Sequence, residues 1–145
     1  MNWAKALCAV AGLFLLAQSV LAQDKPYREG SVWNVTFIKV KPGLFDTYMR
    51  DLAANRKKLM DQAKKDGLIV SEKMLTGDAT GREDWDLMLM VEYKNWAAFD
   101  GLSDKFRVLA QKMVGSEDKQ VQMMTKRTEV REIVGSKNFQ EIIWK

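Results

Sequence analysis

The chain has 145 residues, 47% of them hydrophobic and 29% charged, and its formal net charge is +4. That is one small domain, and a mild basic excess with both signs dispersed keeps a protein soluble without making a nucleic-acid footprint. Histidine is absent, which excludes Ser–His–Asp and Cys–His nucleophile pairs, the common zinc sites and an imidazole haem ligand; one cysteine, Cys8, excludes an internal disulfide.

The first 22 residues read as an address. Lys5 supplies a positive start, Ala6 to Leu16 is an unbroken apolar run, and Val20-Leu21-Ala22 ends it with a small residue at the cleavage position. This is the layout of a secretory signal peptide cut before Gln23. The run is about half the ~20 residues that span a bilayer, so no membrane attachment is expected after cleavage. The mature chain is expected in the periplasm or the medium. Cys8 leaves with the leader, so stability must come from packing alone, and for a chain this small that invites oligomerisation.

Residues 23–30 are polar, contain Pro26 and show no periodicity, which predicts a flexible arm before a single domain over 31–145. Ser31 to Lys41 is β-branched and aromatic and predicts a strand. Trp33, Val35 and Phe37 share one face and Val32, Asn34, Thr36, Ile38 and Val40 the other, so both faces are at least half apolar. Pro42-Gly43 breaks the strand. A long helix is predicted from about Leu44 to Asp66, with Gly67 as its stop. Phe45, Tyr48, Met49, Leu52, Leu59, Met60 and Ala63 carry its i, i+3, i+4 stripe. Arg56, Lys57, Lys58, Lys64 and Lys65 alternate with acidic residues and read as a solvated face.

Leu68 to Thr76 predicts a second strand, residues 77–84 a polar hairpin loop, and Trp85 to Lys94 a third strand. In that third strand Leu87, Leu89 and Val91 alternate with Met88 and Met90. Asn95 is a good helix N-cap, and a helix is predicted to about Val114, with Trp96, Phe99, Leu102, Phe106, Leu109 and Met113 as its stripe and Gly115 as its end. Ser116 caps a further short helix. Thr128 to Val134 predicts a fourth strand, Gly135-Ser136 a turn, and Phe139 to Trp144 a fifth strand.

Strand, helix, strand, strand, helix, strand is the split βαβ order of an α+β, ferredoxin-like antiparallel sheet with two helices on one face. Placing Trp33, Val35, Phe37, Leu87, Leu89 and Val91 under the helices leaves Ile38, Val40, Met88 and Met90 as a bare apolar patch suited to self-association.

The segments VWNVTFIKVKPGLFDTYMRDL, DLMLMVEYKNWAAFDGL and TEVREIV, in this order, resemble the dimeric α/β-barrel superfamily, which includes antibiotic-biosynthesis-type monooxygenases, EthD-like and stress-responsive Dabb-type proteins. The likeness covers most of residues 31–134 and rests on pattern and element order. It implies a homodimer with sheets packed face to face, Ile38, Val40, Met88 and Met90 at the interface, and a pocket between sheet and helices. Haem-degrading proteins similar to this fold use an asparagine on the first strand, a tryptophan on the third and a histidine on the second helix. Asn34 and Trp85 map to the first two and nothing maps to the third, while the face assignment turns Asn34 away from the helices. Ordinary haem oxygenase activity is therefore not expected.

The aromatic set Trp33, Phe37, Trp85, Tyr93, Trp96 and Phe99 is the leading candidate for a ligand pocket, with indole N–H and phenol O–H groups as orienting donors. The same rings are what a plain core of this size requires. Methionines raise the thought of copper, but without histidine they read as gap-fillers. Asp78, Glu83, Asp84 and Asp86 match neither an EF-hand nor a phosphate loop and read as a solvated hairpin. Glu72, Glu92, Glu129, Arg131 and Glu132 read as surface or interface ion pairs. No metal and no cofactor are expected. The expectation is a homodimeric binding module for a small apolar or aromatic molecule. The alternatives are a cofactor-independent monooxygenase or isomerase using a buried Asp, Glu or Tyr of shifted pKa, and an interaction module with Phe139 to Trp144 as its arm.

Overall fold

A computed structural model describes residues 25–145; the expected signal peptide lies outside the described residues. Strand β1 spans Tyr27–Val40. Helix α1 follows in three consecutive pieces, Phe45–Asp51, a π-helical turn Leu52–Arg56, and Lys57–Lys65. Strands β2 (Ser71–Thr76) and β3 (Leu87–Tyr93) come next. A 3₁₀ turn Trp96–Phe99 leads into α2 (Leu102–Met113), then α3 (Glu117–Val130) and β4 (Arg131–Trp144). The four strands form one open antiparallel sheet in the order β2-β3-β1-β4. Four antiparallel strands and three helices among the described residues make an α+β domain, consistent with a ferredoxin-like fold.

Several local expectations hold for the expected reasons. Gly67, at a positive φ of 69°, closes α1 as Leu68 donates back to the Ala63 carbonyl at 2.9 Å. Asn95 caps through its side chain, accepting from the Ala98 amide at 3.2 Å. What it caps is the 3₁₀ turn, because Gly101 at φ 65° interrupts the predicted helix before α2 begins. Ser116 accepts from the Lys119 amide and opens α3, which runs to Val130 and takes in residues 128–130 of the predicted fourth strand.

Three corrections concern the sheet. The predicted arm is shorter, since Tyr27 to Gly30 belong to β1, where Tyr27 pairs with Trp144. The predicted fourth and fifth strands are one strand. Gly135-Ser136 is not a turn: Gly135 lies opposite Phe37 and Ile133 opposite Ile38, so Val134 is an extra residue accommodated as a bulge. A Gly-Ser pair looks like a turn locally, but a full-length partner strand next to it keeps the chain extended.

The third correction is the face of β1. Ile38 pairs with Leu87 and Thr36 with Leu89, while Phe37 pairs with Met88 and Val35 with Met90. Directly paired residues share a face. Ile38 and Val40 therefore lie under α1 with Tyr48, Leu52, Leu87 and Leu89, in one buried cluster. They are core, not the outer patch assigned to them. A second cluster joins Met60, Ala63, Ile69, Val91, Tyr93 and Leu109 beneath the second half of α1 and α2. Trp33, Val35 and Phe37 lie on the opposite face with Met88 and Met90. Both faces of β1 are apolar, so its sequence alone does not choose between them; the register with β3 does.

Candidate functional site

The face without helices presents Trp33, Val35 and Phe37 from β1, Met88 and Met90 from β3, and Phe139 and Glu141 from β4 around a groove of about 420 Å³. Trp33 pairs directly with Phe139 across the β1–β4 ladder, which brings two rings to adjacent positions. Trp85, just before β3, sets its ring 5.2 Å from that of Phe37. Ammonium groups sit over two of the rings: Lys73 is 5.2 Å from the Trp33 ring centre and Lys137 is 5.3 Å from that of Phe139. Their aliphatic stems shield part of the face while their charges stay wet. Glu141 accepts from the Ser31 amide and hydroxyl at 3.1 Å each, which fixes one rim.

The six aromatic residues expected to form one pocket divide between the two sides of the sheet. Trp33, Phe37 and Trp85 belong to the bare face. Tyr93, Trp96 and Phe99 belong to the helix side, with ring centres 4.6 Å apart for Tyr93–Phe99 and 5.8 Å for Trp96–Phe99. Tyr93 is buried in the second core cluster, and burial raises its phenol pKa above the ordinary value. Trp96 donates its indole N–H to Gln140 Oε1 at 2.7 Å, tying the 3₁₀ turn to β4. This second group is packing and tethering. The patch expected from Ile38, Val40, Met88 and Met90 divides in the same way, and only the two methionines face outward. Asn34 lies on the helix side, not away from it, and donates to Asn138 Oδ1 at 2.8 Å in a polar ladder along β1 and β4. It and Trp85 are on opposite sides of the sheet, so the pair mapped from haem-degrading proteins does not meet.

The loop carboxylates are engaged locally. Asp84 accepts from the Thr80 amide and hydroxyl and from the Trp85 amide, and the Thr80 amide is the main reason its carboxyl is held below the ordinary range. Asp86 Oδ1 accepts from the Val40 amide at 3.0 Å and ties the start of β3 to β1. In the first piece of α1, Arg127 bonds Asp51 at 2.6 Å and Arg131 lies 5.6 Å from the Tyr48 ring centre, which fastens α3 and β4 to α1.

One site was not anticipated. Between α1 and β2 lies a cavity of about 220 Å³ walled by Met49, Leu52, Ala53 and Met74, with Arg56 and Glu72 facing each other at 3.5 Å. Burial is the main influence on both groups: it raises the Glu72 carboxyl pKa and lowers that of the Arg56 guanidinium. The sequence contained a signal. The apolar stripe of α1 has a gap between Leu52 and Leu59, and position 56 falls where that stripe would continue. A charged residue on a buried stripe is the informative exception, more so than the charge run in which Arg56 is embedded.

Among the described residues no helix is long and apolar enough to cross a membrane. No protein-family model matches the chain, and no curated protein matches it.

Proposed function

We propose that this protein is an exported homodimer of the dimeric α/β-barrel type, and that it binds a small apolar or aromatic molecule at its bare sheet face. Two copies bring these faces together, and the groove lined by Trp33, Phe37, Met88, Met90 and Phe139 becomes the enclosed binding space. Export rests on Lys5, the apolar run Ala6 to Leu16 and the Val20-Leu21-Ala22 ending.

The observation that carries this reading is the apolar face itself. Trp33, Val35 and Phe37 on β1, Met88 and Met90 on β3, Leu75 on β2 and Phe139 on β4 run together across it, with Leu75 and Phe139 exposed. Contiguous exposed apolar side chains of this kind commonly mark an interaction site. A second copy is the occupant that fits, because no helix covers this face and the two ammonium groups over its rings, those of Lys73 and Lys137, are on flexible stems. Both lysines can swing to the rim when a like face arrives. Aromatic and methionine side chains suit the interior of such a contact, since they are enriched where interfaces are fully desolvated.

The test is native mass spectrometry of the mature protein, residues 23–145, purified from the exported fraction. A dimer with a retained organic mass is expected. A clean dimer would remove the ligand from the reading and keep the assembly. A monomer at micromolar concentration would overturn both. The same measurement on the uncleaved chain separates the rival occupant: if residues 1–22 cover the face, that chain is monomeric and the mature one is not.

A further inference from the structure

No residue of α3 is buried. One face of this helix, with Val121, Met124, Thr125 and Thr128 at i, i+3, i+4 spacing, looks across an open trough of about 470 Å³ to Arg131 and Ile133 of β4. Val121 is 58%, Met124 49% and Ile133 48% exposed. Arg131 pairs with Val40 and Ile133 with Ile38, so the trough lies on the helix side of the sheet and owes nothing to the bare face. A second hollow continues it past Thr128 and Arg131 to Lys41. One end is thus cationic and the rest apolar. Arg131 is only 8% exposed, yet it pairs with no carboxylate among the described residues. The other deeply set guanidiniums do: Arg56 faces Glu72 at 3.5 Å, with Arg56 Nε and Glu72 Oε2 shut off from solvent and lacking hydrogen bonds, and Arg127 holds Asp51 at 2.6 Å. What faces Arg131 is the ring of Tyr48, a phenol that burial keeps protonated. A buried charge without a counter-ion is costly. Arg131 Nε is itself shut off from solvent, so the terminal nitrogens are the part of the guanidinium that meets the trough. Lys41 also has no ion pair among the described residues. Glu132 lies at this end, but it pairs directly with Lys39 and so points to the other face of β4. Thr125 and Thr128 donate their hydroxyl protons to the Val121 and Thr125 carbonyls, which leaves the two cations as the strong donors.

From this we infer a second binding site, for a single-chain amphiphile with a carboxylate head. The carboxylate accepts from the terminal nitrogens of Arg131, Lys41 adds a second positive charge, and the alkyl chain runs along Met124, Val121 and Ile133. A planar carboxylate matches a guanidinium in a way that a hydroxyl does not. From residue 131 back to residue 121 is about 15 Å along a helix, room for a chain of medium length. Glu117 lines the far end of the trough and repels a second acidic group there, which makes the ligand one head and one tail.

The experiment uses the mature protein with ¹³C-methyl-labelled methionine, titrated with decanoate, decanol and decyltrimethylammonium below their micelle concentrations. Decanoate is expected to shift the Met124 methyl signal in a saturable way and to leave Met88 and Met90 unmoved. Decanol, with the same tail and no charge, is expected to bind at least tenfold more weakly, the equivalent of losing one charge-assisted hydrogen bond. Arg131→Gln is expected to bind decanoate no better than decanol. Val121→Asp, at an exposed position, sets a charge in the path of the tail and is expected to abolish the Met124 shift with the melting temperature within a few degrees of wild type, so that lost binding is not lost folding. Decanol or the cation binding as tightly as decanoate would make the trough a plain apolar groove and overturn the inference. Unchanged decanoate binding by Arg131→Gln, or no shift with decanoate at all, would overturn it too. A Met124 shift that grows with protein concentration in the absence of any probe would show a second copy covering the stripe instead. Shifts confined to Met88 and Met90 would place the chain on the bare face, a result that leaves the ligand reading of that face standing while this one fails.

Discussion

Adjacent residues 37 and 38 should separate folding from assembly. Ile38 is 1% exposed and packs among Tyr48, Leu52, Leu87 and Leu89. Truncation of such a side chain to alanine costs about 2–5 kcal/mol. At ~3 kcal/mol, with a urea m-value of about 1.5 kcal/mol/M, Ile38→Ala lowers the unfolding midpoint by about 2 M. Phe37 points to the other face and makes one ring contact, with Trp85 at 5.2 Å. Within one subunit Phe37→Ala should cost about 1 kcal/mol, or less than 1 M of urea. In the proposed homodimer it would count twice, because a two-fold interface uses the same residue from each copy, and a loss of about 2 kcal/mol would weaken that assembly roughly thirtyfold. The assay is urea unfolding followed by circular dichroism at two protein concentrations a hundredfold apart. A dimer's midpoint rises with concentration. Wild type and Ile38→Ala should both show that rise, and Phe37→Ala should show little of it. Equal midpoint losses for the two variants at the lower concentration would refute the face assignment. So would an Ile38→Ala protein that is as stable as wild type but monomeric.

The remaining predictions follow from single features. Gly101→Ala forces a side chain onto a positive φ and should destabilise the domain by about 1 kcal/mol, whereas Gly135→Ala, at a position of ordinary φ with open space around it, should be neutral; thermal melts of the two variants check this. Glu72 has a folded pKa raised by burial, so the folded state holds its proton more tightly than the unfolded chain does, and its contribution falls as pH rises above about 4.5, its ordinary value. Glu72→Gln should therefore be as stable as wild type or better at pH 7, with the difference vanishing near pH 4; a clear loss at pH 7 would mean that attraction to Arg56 outweighs the cost of burying the charge. Deleting residues 137–145 removes the β4 partners of Tyr27 to Val35, so it should weaken the subunit itself and not only its assembly, which hydrogen exchange of the β1 amides would report.

Much of the architecture is legible in the residues. Alternation in Trp85 to Lys94 marks β3 and separates Leu87, Leu89 and Val91 from Met88 and Met90 as the structure does, but it also sets Trp85 with Leu87, whereas Trp85 precedes the strand and its ring lies against Phe37 on the other face. Gly67, Asn95, Gly115 and Ser116 punctuate the chain where their conformational and capping chemistry requires. The candidate site was legible as a list of rings and not as a place. Composition and spacing group Trp33, Phe37 and Trp85 with Tyr93, Trp96 and Phe99, which the sheet holds on its other side.

What the sequence determines by itself is local: which stretches extend, which coil, where each stops, and that histidine and cysteine chemistry is absent from residues 23–145. Those follow from near-neighbour sterics, capping and composition. What only the tertiary structure decides is relational. The register between β1 and β3 chooses which face of a doubly apolar strand meets the helices. The length of β1 keeps β4 extended through a Gly-Ser pair that a lone strand would turn at. The approach of α1 to β2 converts Arg56 and Glu72, sixteen residues apart and each ordinary on a surface, into a buried pair with unmet hydrogen bonds. Each of these depends on a partner distant in the chain, and periodicity within a segment carries no information about which partner it will have.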